Sequence, residues 1–316
     1  MKKPREIFDS VWQGAAMGAL HLVALMPLWV LYRFSDILFL LILLTGYRRK
    51  VVRKNLAESF PEKSAKELRS IERRFYRNFA DYIVETIKLL HISDAEMRCR
   101  MVFEGVEIAD EYLGKGQSIV AFFSHMGNWE WASSFPLWSA LRDSDSVAFC
   151  QIYRPLRNQW FDSLMLRLRS RFGAKSLPKQ IAFLDLLRLR KQGKATITGF
   201  MSDQKPSHGD PGHITMFLNH PTAFITGTAT VATRMRTPVL YWQMTKPSRG
   251  HYRVAIRLVT PDAAETTVDS LTEAYARLLE ADIAANPSLW LWTHKRWKRR
   301  VSLPPSNPAT GEARQQ

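Results

Sequence analysis

The chain has 316 residues, with 45 Lys and Arg against 29 Asp and Glu, giving a formal net charge of +16 and a pI near 10.0. Hydrophobic residues make up 46% of the chain, which is enough for a packed core and excludes a disordered or collagen-like protein. A mean hydropathy of −0.21 argues against a polytopic membrane protein. The excess positive charge calls for an acidic counterpart: nucleic acid, anionic lipid or an acidic protein.

The cysteines and histidines give no sign of a metal centre. Cys99 and Cys150 lie in unrelated segments without a CxxC pair, so neither a disulfide framework nor a zinc site is supported. No second histidine lies at ligand spacing from His125, and we expect no metal. His208 and His213 fall in a Gly- and Pro-rich loop, where they are interpreted as loop polar residues or as part of a lid that contacts substrate.

An apolar segment lies near the start of the chain. Residues 10–32 contain no Asp, Glu, Lys or Arg, and as one helix at about 1.5 Å per residue they could cross a hydrocarbon core of roughly 30 Å. Pro27 and a second apolar run at residues 37–47 leave open a helical hairpin lying in one leaflet. An apolar core helix is a third interpretation. Five basic residues within residues 48–54 favour the cytoplasmic side and anionic headgroups.

The remainder of the chain has the pattern of an α/β domain. Apolar residues recur every three or four positions after Ser64, and Ser64 with Glu67 is typical of a capping box, so a helix is predicted to begin there. Strands are predicted at residues 118–123, 146–152, 195–201, 238–245 and 252–258, and helices at 160–172, 182–192 and 270–285. This alternation predicts a mostly parallel mixed sheet flanked by helices, with its site at the carboxyl ends of the strands.

The patterns together predict three parts of the chain. Residues 1–47 are predicted to be a hydrophobic membrane anchor and interfacial segment, and residues 48–302 a single α/β domain. Residues 303–316, with three prolines and a glycine, are predicted to be a disordered tail.

The most informative segment is residues 121–130, AFFSHMGNWE. His125 falls just after an apolar strand, and Glu130 falls near the start of the next helix. On one continuous helix a five-residue step would rotate the two side chains about 140° apart, whereas a turn through Gly127 can bring them together. A histidine beside a carboxylate is the unit that general-base catalysis needs, and a structural hydrogen bond is the alternative.

These residues resemble the signature of the late acyltransferase family of lipid A biosynthesis, the lauroyl and myristoyl transferases within the wider lysophospholipid acyltransferase group. That signature is His, four residues, then Asp or Glu, which His125 and Glu130 match (HX4E). Five further segments look like the family's other motifs, in the same order: residues 53–61 (RKNLAESFP), 153–158 (YRPLRN), 203–204 (DQ), 217–227 (FLNHPTAFITG) and 290–298 (WLWTHKRWK). Asn219 stands where a glycine is usual in the family.

The resemblance implies a direct acyl transfer. His125 would deprotonate a hydroxyl of a glycolipid acceptor, and that oxygen would attack the thioester carbonyl of the acyl donor without an acyl-enzyme. Glu130 would orient His125.

The resemblance also singles out four substrate-binding candidates. Arg154, at the end of the second strand, would hold a phosphate or the developing thioester oxyanion, and a surface ion pair is the alternative. Asp203 is expected at the mouth of the site, or simply as a turn residue. Asn128 and Asn158, inside the matching motifs, complete the set.

The implied partners are acidic, as the charge requires. One is acyl carrier protein, whose acyl thioester is the donor, so no cofactor is expected. The other is an anionic lipid A precursor, which would receive a secondary acyl chain. The implied location is the cytoplasmic face of the bacterial inner membrane. The basic run at residues 295–300, interleaved with Trp290, Trp292 and Trp297, is typical of an interfacial anchor.

Other interpretations remain open. The acceptor could be a lysophospholipid, an aminolipid or another glycolipid, since the same chemistry serves any hydroxyl at the interface. A non-catalytic basic module and a metal-dependent hydrolase are alternatives from other classes. No helix-turn-helix, zinc-finger or RNP-type signature is present in the sequence, so no nucleic-acid partner is expected.

Overall fold

A computed structural model describes residues 4–207, 212–298 and 300–303. His208, Arg299 and nearly all of the predicted tail, residues 304–316, lie outside the described residues. The described helices are α1 (Pro4–Leu25), α2 (Leu28–Thr45), α3 (Arg49–Ser59), α4 (Ala65–Lys88), α5 (Asp94–Arg100), α6 (Val106–Gly114), α7 (Gln159–Ser170), α8 (Ala182–Lys191), α9 (Gly227–Met235) and α10 (Val268–Ala285). The described strands are β1 (Met101–Glu104), β2 (Ile119–Phe123), β3 (Val147–Tyr153), β4 (Lys175–Pro178), β5 (Ala195–Met201), β6 (His213–Phe217), β7 (His220–Phe224), β8 (Val239–Ser248) and β9 (His251–Thr260).

The N-terminal apolar segment folds as two helices, so residues 10–32 do not form one continuous helix and the chain breaks near Pro27, where the sequence leaves open a helical hairpin. α1 ends at Leu25, and α2 begins after Pro27, which lacks the N–H that a helix interior requires. In the described part of the chain, α2 is the one helix long and apolar enough to cross a membrane, with a mean hydropathy of 1.9. The candidate membrane segment is therefore Leu28–Thr45, which includes Arg33 and Asp36.

α2 packs along α4. Its buried side chains recur at three- and four-residue steps, which places them on one face: Leu28, Leu31, Ser35, Phe39 and Ile42. The predicted capping box of α4 is confirmed, because the Ser64 hydroxyl accepts from the backbone N–H of Glu67, and the Glu67 carboxylate accepts from that of Ser64 at 2.8 Å. The long amphipathic α4 thus joins the apolar helices to the rest of the fold.

The predicted mixed α/β sheet is confirmed. Its seven strands lie in the order β1-β9-β8-β2-β5-β3-β4. The five strands from β8 to β4 run parallel, β9 pairs antiparallel with β8, and β1 runs parallel to β9. The five predicted strands are all present, within three residues at each end.

The short strands β1 and β4 and the antiparallel hairpin of β6 and β7 were not predicted. Each of these four strands has only four or five residues, and none is apolar throughout, as the equally short β2 is. Because they flank the predicted sheet or lie outside it, their absence from the prediction leaves the position of the site unchanged.

Side chains of β2 alternate between the two faces of the sheet and complete a core on each side. Ala121 and Phe123 belong to one buried cluster and Phe122 to the other. The neighbours β5 and β3 run in the same direction as β2. The residues that follow these three strands therefore meet at one edge of the sheet, which we call the carboxyl edge.

Candidate active site

His125 leaves the carboxyl end of β2 and is followed by a tight turn. Gly127 adopts a left-handed conformation, with φ of 59°, and a Cβ added there would lie 2.8 Å from the Met244 sulfur. The Gly127 N–H donates to the carbonyl of Leu289 at 3.0 Å. A glycine is thus required for both the backbone angle and the close packing that fix the position of His125.

Asp203 lies beside His125, because β5 is the parallel neighbour of β2 and Asp203 follows its carboxyl end. Its Oδ1 is 2.7 Å from Nδ1 of the His125 ring, and its Oδ2 accepts from the His125 backbone N–H at 3.0 Å. The indole N–H of Trp290 donates to the same Oδ2 at 2.9 Å. One buried carboxylate thus holds both the backbone and the ring of His125.

The contact with Asp203 fixes the tautomer of a neutral His125 ring. A carboxylate only accepts hydrogen bonds, so the proton of the neutral imidazole is on Nδ1 and the lone pair is on Nε2. The side-chain amide of Gln204 lies 3.1 Å from Nε2 and can donate to that lone pair. His125 is therefore prepared to accept a proton at Nε2.

The electrostatics of Asp203 keep it ionised. Its burial alone would raise its pKa, but the charge and the two hydrogen bonds of His125, together with the Trp290 hydrogen bond, lower the pKa to about 2. Arg296 is also buried, and burial lowers its pKa to about 10. The negative charge of Asp203 acts in the opposite direction and limits this lowering. His294 is uncharged at neutral pH because burial lowers its pKa to about 4.

Glu130 does not occupy the position beside His125 that the sequence pattern led us to expect. Both of its oxygens accept from the guanidinium of Arg169 on α7, each at 2.7 Å, and the Tyr82 hydroxyl lies 3.5 Å from one of them. The chain enters a 3₁₀-helix at Trp131 directly after Glu130, and it is Trp129 whose ring packs edge-on against His125, at 5.2 Å between centroids. The carboxylate beside His125 is that of Asp203.

The pair of Glu130 and Arg169 is buried. The Glu130 side chain is 3% exposed and that of Arg169 18%. Burial acts to lower the pKa of Arg169, but the hydrogen bonds and charge of Glu130 raise it above its ordinary value. The two side chains form a buried ion pair, so each depends on the other for compensation of its charge.

Among the described residues, the other predicted substrate-binding residues make no hydrogen bond or ion pair with the His125 ring. Asn128 is fully buried, donates to Glu85 at 2.8 Å and accepts from the Trp131 N–H at 3.2 Å. Asn158 caps α7 by accepting from the Phe161 N–H at 3.0 Å. Arg154 is exposed directly after β3, at the carboxyl edge.

Glu85 connects the loop after His125 to distant parts of the fold. Besides Asn128 it accepts from the Tyr252 hydroxyl of β9 at 2.8 Å and from the Tyr32 hydroxyl of α2 at 2.9 Å. Burial raises the pKa of Glu85, while Lys246 and the hydrogen bonds of Tyr252 and Asn128 act to lower it. A side chain of α4 thus joins the apolar helix α2 to the site.

His213 is a histidine outside the candidate site that has two acidic neighbours. His213 lies in β6 and contacts Asp269 at 3.2 Å and Glu273 at 2.8 Å, both on α10. Within residues 4–207, 212–298 and 300–303, no group of three or more His, Cys, Asp or Glu side chains could hold a metal ion.

Sequence reasoning missed the roles of Arg169 and Trp290. Arg169 stood among several basic residues of one helix, and nothing in the sequence distinguishes the arginine that faces Glu130. Trp290 was interpreted as an interfacial indole, whereas it is 3% exposed and bonded to Asp203. A tryptophan with its N–H aimed at a buried carboxylate is recognised only once the strands are assembled.

A model of the family described as bacterial lipid A biosynthesis acyltransferase matches residues 2–299. The chain belongs to this family. This match confirms, over nearly the whole chain, the resemblance found in the motifs. The protein is therefore an acyltransferase of lipid A biosynthesis. No curated protein matches this chain at a significant level.

Proposed function

We propose that the protein transfers a fatty acyl chain from the thioester of acyl carrier protein to a hydroxyl of a lipid A precursor, with His125 as general base. The observation that carries the proposal is the contact of His125 with Asp203, which leaves Nε2 unprotonated at the carboxyl edge of the sheet. In this proposal Asp203, and not Glu130, is the carboxylate that orients His125.

The transfer proceeds in one addition and one elimination. Nε2 of His125 takes the proton of the acceptor hydroxyl as its oxygen forms a bond to the thioester carbonyl carbon. Asp203 stabilises the resulting imidazolium. The carbon–sulfur bond then breaks, and the departing thiolate receives the proton from Nε2. No bond to the enzyme is formed, so no acyl-enzyme is required.

Glu130 and Arg169 support the wall of this site. Trp129 lies directly before Glu130, and it contacts both the His125 ring and the Tyr82 ring, the latter at 4.1 Å between centroids. Because Arg169 holds the Glu130 side chain at two points, the backbone beside Trp129 is held as well. We assign Glu130 and Arg169 to positioning.

The proposal places the enzyme at the cytoplasmic face of the bacterial inner membrane. α1 and α2 expose a band of large apolar side chains, among them Trp29 at 70% and Leu44 at 83% exposure. A band of this kind in contact with water is unfavourable, and a bilayer would cover it.

The polar contacts of α2 favour a helix that lies in one leaflet over one that crosses. At the middle of α2, Ser35 donates to Asp81 at 2.7 Å and Asp36 pairs with Arg249 at 2.8 Å. Since Asp81 and Arg249 belong to α4 and the turn between β8 and β9, a crossing α2 would take these polar elements into the hydrocarbon.

The exposed cations of the carboxyl edge fit both acidic partners. Arg154 follows β3, Lys179 follows β4 and Lys205 follows Asp203, and all three side chains are exposed. They lie near the mouth of the proposed site, where the phosphates of a lipid A precursor or the acidic surface of acyl carrier protein would approach.

The test is mass spectrometry of lipid products formed by the detergent-purified protein from acyl carrier protein carrying a saturated chain. The acceptors are a tetra-acylated lipid A precursor, a lysophospholipid and a glycolipid without phosphate. We expect one added acyl mass on the lipid A precursor, loss of that product with His125→Ala, and its retention with His251→Ala, which removes an exposed histidine.

Other outcomes would contradict parts of the proposal. Transfer to the lysophospholipid alone would keep the chemistry and overturn the acceptor. Transfer from acyl-coenzyme A but not from acyl carrier protein would overturn the donor. Near-wild-type turnover by a folded His125→Ala protein would overturn the general-base mechanism.

A further inference from the structure

Three helices that precede parallel strands of the sheet end in the same way. α6, α8 and α9 each end in a Schellman motif, with a left-handed residue after the helix: Gly116 (φ 73°), Gly193 (φ 75°) and Arg236 (φ 54°). Glycine adopts this conformation without strain, whereas any side chain with a Cβ does so at a cost. Arg236 therefore occupies a strained position where the two equivalent loops have glycine.

A cavity of about 280 Å³ lies between these loops, bounded by residues 116–118, 193–194 and 235–237 and by Arg190. We call it the amino-edge cavity, because the loops lead into the amino ends of β2, β5 and β8. It is several times the volume of about 30 Å³ that one water molecule occupies in the liquid. A small ligand of several atoms fits such a space.

The charges around the amino-edge cavity are all positive. Its lining contains Arg190, Lys194 and Arg236 and no acidic side chain from the described residues. Within the part of the chain that the structure describes, none of the three is in an ion pair. Three unpaired cations around one cavity favour an anion with several oxygens, which guanidinium groups bind with paired hydrogen bonds.

A buried hydroxyl at the wall adds a second observation. Thr237 lines the cavity and is only 3% exposed, and its Oγ1 has no hydrogen-bond partner among the described residues. A buried hydroxyl without a partner is unfavourable, and its proton can be donated only to an acceptor that comes from elsewhere. Water does not reach this oxygen as it lies, so an anion in the cavity would accept from it once the Thr237 side chain turns toward the cavity.

The helix ends alone do not account for the cations. Helix carboxyl ends carry partial negative charge, which nearby cations stabilise. Here, however, the last carbonyls already accept from backbone N–H groups of the loops: those of Gly116 to Leu113 at 2.9 Å, Lys194 to Leu189 at 3.0 Å and Thr237 to Ala232 at 3.2 Å. Neither a strained arginine nor an unpaired buried threonine is needed for that purpose.

The amino-edge cavity and the candidate active site lie at opposite ends of the same strands. His125 and Asp203 follow the carboxyl ends of β2 and β5, and α2 meets the protein at Arg249, beyond the carboxyl end of β8. The cavity therefore faces away from the apolar band of α2, so its ligand comes from the aqueous phase. We propose that the amino-edge cavity is a binding site for a soluble phosphate-bearing anion, separate from the acyltransferase site.

The test is isothermal titration of the detergent-purified full chain with inorganic phosphate and with pyrophosphate. We expect saturable binding that Arg236→Gly weakens about tenfold or more, as the loss of a charge-assisted hydrogen bond implies. Arg236→Gly also removes the backbone strain, so its melting temperature is expected to stay the same or rise. Thr237→Val, of similar shape, is expected to weaken binding without loss of folding.

The matched control is Arg234→Ala, which removes one exposed charge from the same helix but does not line the cavity. It is expected to leave binding unchanged. Equal weakening by Arg234→Ala, or no saturable binding of either probe, would overturn the site. Binding only to vesicles that contain phosphatidic acid, with no binding of the soluble probes, would overturn the proposal of a soluble ligand.

Discussion

Asp203 accepts two hydrogen bonds from a single residue, one from the backbone N–H of His125 at 3.0 Å and one from its ring at 2.7 Å. The imidazole is therefore fixed in position by the same group that fixes its tautomer. In the proposed mechanism this carboxylate also stabilises the imidazolium, because it is buried and ionised.

Asp203→Asn is expected to lower kcat by about a thousandfold or more, since an amide neither holds the Nδ1–H tautomer nor stabilises the imidazolium. KM is expected to change little. Steady-state kinetics of acyl transfer measure both constants. Asp262→Asn, which changes a carboxylate that caps a remote 3₁₀-helix, is the control and should keep its activity. Equal activity of the Asp203→Asn protein would contradict the role of Asp203.

Glu130→Gln is expected to lower the free energy of unfolding by roughly 3 kcal/mol, because it leaves the guanidinium of Arg169 largely buried without its counter-charge. The double variant Glu130→Gln with Arg169→Met is expected to recover part of that loss. Chemical denaturation of the three proteins measures the difference. A purely catalytic role for Glu130 predicts unchanged stability in the single variant.

The stability of the protein is expected to fall in acid partly through Asp203. Its pKa is about 2 in the folded chain against an ordinary value of 3.8, so ionised Asp203 stabilises the fold above pH 4. That contribution is lost as the pH falls from about 4 to about 2. Melting temperatures over this range should depend less steeply on pH in Asp203→Asn than in the wild type. Parallel curves would contradict the lowered pKa.

Membrane association is expected to depend on the exposed face of α2. Replacing Leu40 and Leu44 with Glu places two charges on that face and should move the protein from the floating to the soluble fraction in vesicle flotation. Leu184, exposed on α8, provides the matched control, and Leu184→Glu should still float. Flotation of the doubly substituted protein would show that another surface binds the membrane.

The sheet could be predicted from the sequence because its central strands are short, apolar and separated by helical patterns. Residues 195–201 were predicted without error, and all but one are buried. β4 has only four residues with one buried, so it carries no comparable pattern. Its place in the sheet comes from pairing with β3, a contact that no local window contains.

The candidate site was predicted in part, and the error has a physical cause. His125 and the carboxyl edge follow from the position of a strand, but the partner of His125 depends on which strand lies next to β2. Glu130 is five residues away and was favoured for that reason, whereas Asp203 is 78 residues away. Proximity along the chain says little where parallel strands bring distant loops together.

The shared contacts of Glu85 have a consequence for any attempt to make a soluble form of this enzyme. Deleting residues 1–47 would remove the apolar helices, but it would also remove the Tyr32 hydroxyl from a buried carboxylate that holds Asn128, three residues from His125. The apolar helix is part of the internal scaffold of the site as well as the proposed attachment to the membrane. A truncated enzyme would therefore differ from the whole one in its chemistry as well as its location.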